Sequence, residues 1–144
     1  MWKERIDSFP GKYTFAEPAT KEEIGELEKS LNVKLSQELK SFLCESNGVF
    51  DEYDYPLVWP VQQIIRENTE LRTFEYFKDL YMPFDSLLFI ANAGNGDLFG
   101  QAVLNGAIQR EYIYVWDHED DSRTWVASSL KDFMKGWAGG TISI

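Results

Sequence analysis

One cysteine and one histidine stand in a chain of 144 residues. Cys44 has no second thiol to pair with, so no intramolecular disulfide can form, and a reducing compartment is the natural setting. His118, being alone, excludes a metal site or a mechanism built from paired histidines of one chain. Basic side chains are also scarce: 14 Lys and Arg face 24 Asp and Glu, a formal net charge of −10. No local basic patch relieves that excess, so phosphate backbones and anionic lipid are repelled while a basic partner would be attracted. No run approaches the ~20 apolar residues of a membrane span, and Met1 to Asp7 lacks the unbroken apolar stretch of a secretory signal. These absences lead to the expectation of a soluble, cytoplasmic protein that binds neither nucleic acid nor membrane.

What is present is material for a packed core, with hydrophobic residues at 44% and aromatics at 15%. A chain of this length fits one domain, and no repeat, low-complexity segment or linker divides residues 1–144. Trp2, Ile6 and Phe9 suggest a short helix stopped at Pro10-Gly11. Thr20 followed by Glu23 forms a capping-box signature for a helix that carries Ile24, Leu27 and Leu31 and stops at Asn32. Ser36 caps a second helix with Leu39, Phe42 and Leu43 on its inner face, ended by Gly48. Val49 to Pro56 reads as an acidic, aromatic loop and Leu57-Val58-Trp59 as a short strand. Pro60 then opens a helix from Val61 to about Phe77, with Asn68 and Arg72 on or beside its apolar face. A buried Asn68 would need partners, expected from the backbone of a neighbouring loop.

The most legible stretch is Leu87 to Gly100: apolar run, Gly-Asn cluster, second apolar run, the pattern of a β-hairpin. Asn105-Gly106 signals a turn, Tyr112 to Trp116 is rich in β-branched and aromatic residues, and Thr124 to Ala127 returns as a strand after the turn at 117–122. Ser129 caps a last helix with Leu130, Phe133, Met134 and Trp137 inward, closed by Gly139-Gly140. The expected fold is α+β, a central mixed or antiparallel sheet of about five or six strands flanked by about four helices.

The glycines at 94, 96 and 100 invite comparison with a phosphate loop. The dinucleotide fingerprint needs a shorter last interval and a helix after it, whereas a strand pattern follows Gly100, so the cluster reads as a hairpin turn. Asp117, Glu119, Asp120 and Asp121 around His118 offer oxygen ligands for a divalent cation, but their spacing does not match an EF-hand loop and a solvated acidic turn is preferred. His118 can also act as a pH sensor. Cys44, beside Leu43, reads as an inert, partly buried thiol. With no catalytic constellation, cofactor motif or metal-ligand spacing, the chain is not expected to be an enzyme. What remains is a pair of acidic, aromatic loops: Asp51, Glu52, Tyr53, Asp54 and Tyr55 in one, and Trp116, Asp117, Glu119, Asp120 and Asp121 in the other, with Trp125 close by. Asp97 adds a further carboxylate from the hairpin. Exposed aromatics anchor interfaces and carboxylates steer a basic partner, so these residues are the candidate partner-binding site.

The order of Ala19-Thr20-Lys21-Glu22-Glu23-Ile24, Leu31-Asn32-Val33-Lys34-Leu35-Ser36, Phe42-Leu43 with Ser46-Asn47-Gly48, Ile64-Ile65-Arg66-Glu67-Asn68, Phe89 to Asp97 and Val115 to Glu119 resembles the SUKH superfamily over residues 19–137. The similarity is to the branch that includes fungal cell-wall-synthesis regulators and bacterial immunity proteins. Ser36 stands where that family often has proline. The resemblance implies helices flanking a sheet, no catalytic residues and, in bacteria, a protein that binds and blocks a cognate toxin, often a nuclease or deaminase with a basic cleft. Two expectations follow: an immunity protein that occludes a polymorphic toxin's active site, or a general interaction module with no toxin partner.

Overall fold

A computed structural model describes residues 1–144. The chain runs α1 (Trp2–Asp7), β1 (Tyr13–Phe15), α2 (Lys21–Ser30), α3 (Gln37–Glu45), β2 (Val49–Asp51), β3 (Pro56–Val58), α4 (Val61–Thr73), α5 (Glu75–Lys78), β4 (Leu87–Asn92), β5 (Leu98–Ala102), β6 (Ile113–Trp116), β7 (Arg123–Ala127) and α6 (Leu130–Ala138). The strands form two antiparallel sheets, β1-β2-β3 and β4-β5-β6-β7. The α+β class is as expected. The sheet is divided, however, and the strands number seven with six helices beside them.

Capping chemistry sets the helix starts. Thr20 Oγ1 accepts from the Glu23 amide while the Glu23 carboxylate accepts from the Thr20 amide, closing the capping box. Ser36 and Ser129 cap α3 and α6 in the same sense. Ser36 also donates to the buried Gln101 side chain of β5 at 3.0 Å, so the cap ties α3 to the sheet. Asn32 ends α2 with a positive φ of 51°.

The join between the sheets depends on one edge of β4. This strand is buried almost throughout, and β5 pairs with only one of its edges. On the other, the Phe89 amide donates to Asn68 Oδ1, and Asn68 Nδ2 donates to the Phe89 and Ile64 carbonyls, each at 2.8 Å. One turn further along α4, Arg72 donates to the Leu87 carbonyl at 2.9 Å and to Leu31 at 3.0 Å. Burial holds the Arg72 guanidinium below its ordinary pKa, partly offset by the Asp85 charge. The register shift between Phe89 and Ala91 leaves the Ile90 carbonyl free to accept from the Trp59 amide, at 2.8 Å, just beyond β3. Asn68 therefore serves strand backbone and its own helix, not the loop that the sequence suggested.

A single hydrophobic cluster of 33 buried residues underlies both sheets. Gly100 lies inside β5, where an added Cβ would stand 2.6 Å from the Leu88 carbonyl oxygen. Close strand packing, not phosphate, accounts for that glycine. Three further expectations are corrected. The helix from Val61 ends at Thr73, with Phe74 extended before the short α5. Val49 to Pro56 is a tight hairpin, because Asp51 Oδ1 accepts from the Tyr53 and Tyr55 amides and so reinforces the backbone bond from the Asp51 amide to the Tyr55 carbonyl across the turn. Cys44 is exposed, on the outer side of α3 from the buried Phe42 and Leu43.

Replacing Asn68 by alanine is expected to cost about 2–4 kcal/mol in urea unfolding, since it strands buried backbone groups of the central strand. Thr20→Ala, which removes one exposed cap, is expected to cost only about 1 kcal/mol. Equal losses would contradict the role given to Asn68.

Candidate functional site

Antiparallel pairing sends alternate turns to the same end of a sheet. Within the four-stranded sheet the turns β4–β5 (93–97) and β6–β7 (117–122) share one end in this way, and the β2–β3 turn (52–55) of the other sheet comes to that end across the Trp59–Ile90 join. Tyr55, Pro56 and Leu57 border the same cavity as Asn92, Ala93 and Gly94, so the first turn lies beside the second. At Gly96, with φ of +101°, an added Cβ would stand 2.8 Å from the His118 ring, so the second turn lies against the third. The structure thus gathers both acidic loops on one rim, with the 93–97 turn between them.

The rim residues divide by what their side chains already hold. Tyr53 and Tyr55 are 79% and 58% exposed, and Glu52, Asp54, Glu119 and Asp120 are exposed with them. Asp117 Oδ1 accepts from the Glu119 amide and Asp120 Oδ1 from the Ser122 amide, which builds the third turn. The Ser122 hydroxyl first, then the Ser122 amide, hold the Asp120 carboxyl below its usual value. Asp121 accepts from Trp116 Nε1 at 2.7 Å, the Met82 amide at 2.8 Å and Arg123 at 3.2 Å. Although burial opposes it, that set of donors lowers the Asp121 pKa.

Trp116 and Asp97 are corrections to the expected surface, being only 4% and 6% exposed. Trp116 packs edge-on against Tyr81 and Phe84, with Phe89 beside it, and so supports the third turn from below. The Tyr81 hydroxyl donates to the His118 carbonyl at 2.9 Å, a tie that nothing in the sequence pattern signalled. Arg123 likewise donates to the Met82 and Pro83 carbonyls, clamping segment 81–84 to β7. Trp125, by contrast, is exposed on β7.

Asp97 turns inward to His118. Its Oδ1 accepts from the His118 backbone amide at 3.2 Å and lies 2.6 Å from the ring Nδ1. A carboxylate only accepts, so the ring proton sits on Nδ1 and Nε2 is left to solvent. Asp97, Asp117 and His118 each bring one ligand-type atom within 4.8 Å of the others. No serine, threonine or cysteine nucleophile is bonded to this histidine.

The hydrogen bond that the ring donates to Asp97, reinforced by the charges of Asp97, Glu119 and Asp117, holds His118 above its ordinary pKa against partial burial. The pair's contribution to stability is therefore complete below the unfolded value and is lost as pH rises through the raised folded value. In a proton NMR titration the His118 ring is expected to show a midpoint above that of free histidine, and Asp97→Asn is expected to bring it down. A midpoint unmoved by Asp97→Asn would contradict the assignment.

Comparison with curated proteins gives no match. A family model described as SMI1-KNR4 cell-wall, within SUKH, matches residues 21–134. That span starts at the first residue of α2 and reaches into α6, taking in the Asn68 clamp and all three rim turns. The chain belongs to the SUKH superfamily, in its SMI1-KNR4 cell-wall family.

Proposed function

We propose that this protein is a non-enzymatic binding module acting as an immunity protein: it occupies the basic active-site cleft of a cognate, nuclease-type toxin in the cytoplasm. The observation that carries the reading is the convergence of two acidic turns on one rim, with Tyr53 and Tyr55 standing out beside Glu52, Asp54 and Glu119. A net charge of −10 draws a basic surface toward that rim. Exposed tyrosines then offer large, stiff contact area at low entropic cost. The third turn, held by Trp116, Tyr81 and Arg123, loses little freedom on binding because it is already ordered. A second reading, a regulatory interaction module without a toxin, is favoured by the cell-wall description of the matching family.

The test is to read the genes beside its own for a toxin domain and to mix that domain, purified, with the protein. A stoichiometric complex that abolishes toxin activity is expected, with affinity that weakens as salt is raised. Charge reversal at the exposed Glu52, Asp54 and Glu119 together is expected to weaken association by at least about tenfold while leaving the melting temperature nearly unchanged. Absence of binding would overturn the immunity reading and leave the regulatory one.

A further inference from the structure

Beside the rim, at the seam between the two sheets, a half-open cavity of about 340 Å³ is lined by residues from four strands or their turns and from α6. Its walls are aromatic: Tyr13 of β1, Tyr55 of the first turn and Trp137 of α6, with buried Leu57 alongside. Trp137 is fixed by its edge-on contact with Phe99, ring centres 4.9 Å apart. The polar groups are few. Asp51 engages Oδ1 with the Tyr53 and Tyr55 amides, at 2.8 and 3.0 Å, which leaves its second oxygen without a protein partner. Asn92 also lines the cavity, and its carboxamide makes no hydrogen bond within the protein. No lysine, arginine or histidine lines it. Burial first, then the charges of Asp51 and Glu52, raise the pKa of the Tyr13 hydroxyl, so the potential there is negative.

We propose that this cavity receives one arginine side chain of a protein partner, its guanidinium bonded to Asp51 and Asn92, its flat face on the Tyr55 or Trp137 ring and its stem along Leu57. The proposal rests on the partner-binding reading and names the group that the partner would supply. An anionic ligand would meet Asp51 with no counter-charge. An apolar peg would bury Asp51 and Asn92 unpaired. A lysine would answer the charge but could neither stack on a ring nor present a planar fork of donors, whereas arginine does both. The volume lies at the small end of ligand pockets, enough for one long side chain and not for a folded element.

The probe is N-acetyl-arginine N-methylamide, compared with its lysine and citrulline counterparts, against the full-length protein by heteronuclear NMR. Saturable shifts of the Trp137 indole N–H and of the Asp51, Ala93 and Gly94 amides are expected with the arginine probe. The neutral citrulline probe is expected to bind about tenfold more weakly, with lysine in between. Asp51→Asn keeps an oxygen for the Tyr53 and Tyr55 amides but removes the charge, and is expected to weaken the arginine probe at least about fivefold. Tyr55→Ser, at an exposed position, is expected to weaken it without loss of fold. Equal responses to arginine and citrulline, equal responses to arginine and lysine, or shifts confined to Glu52, Asp54 and Glu119, would each overturn the proposal. A toxin that is bound and inhibited while the arginine probe leaves the cavity untouched overturns the socket and spares the immunity reading. A filled cavity with no toxin bound does the reverse.

Discussion

Strand β4 is buried on both faces yet paired with a strand along only one edge, and the fold depends on how the other edge is satisfied. An unpaired amide or carbonyl in that position would cost more than most single packing contacts return. Helix α4 resolves this by turning side chains into backbone partners. Asn68 presents both a carbonyl and an amide to Phe89, as a neighbouring strand would, and Arg72 does the same for the Leu87 carbonyl. The Ile90 bulge then hands the next acceptor to Trp59. Through these few bonds two small sheets, neither extensive enough to enclose a core alone, share one.

That join also orders the surface. Because β3 meets β4 at Trp59, the turn before β3 arrives beside the turn after β4, and the antiparallel run from β4 to β7 carries the third turn to the same end. The rim is thus a product of the seam: residues 52–55 and 117–122, far apart in sequence, flank one central turn. The cavity at the seam has the same origin, since its aromatic walls come from both sheets and from the helix that closes the chain.

Much of this was legible in the chain. The capping box at Thr20, the serine caps, the helix faces, the hairpin at 87–100 and the strands at 113–116 and 123–127 follow from local rules that tertiary contacts reinforce. The short strands β1 and β2 were not, because three residues carry no periodicity and owe their extended form to each other, across the helices inserted between them. The candidate rim was legible as composition but not as division of labour. Asp97, Asp117, Asp120 and Asp121 look alike in sequence, yet each is committed to a bond within or beside the third turn, while Glu52, Asp54 and Glu119 are left to solvent. Trp116 misled for a similar reason: its acidic neighbours suggested surface, and only the packing of Tyr81, Phe84 and Phe89 shows it to be the turn's foundation.

The two acidic turns differ in how they are fastened. The third is bolted to the core by Trp116, Tyr81 and Arg123, so a change in it is felt in the aromatic cluster beneath. The first is closed by its own local bonds, the Asp51 carboxylate accepting from the Tyr53 and Tyr55 amides and the Asp51 amide donating to the Tyr55 carbonyl, while the side chains of Glu52, Tyr53 and Asp54 are exposed. Glu52 and Tyr53 can change with little structural penalty, whereas Asp54, at a φ of 62°, calls for a residue that tolerates the left-handed region. One half of the rim is thus a fixed frame seated on the aromatic core, while the other presents side chains that can be exchanged within a single tight turn and leave the packing beneath untouched.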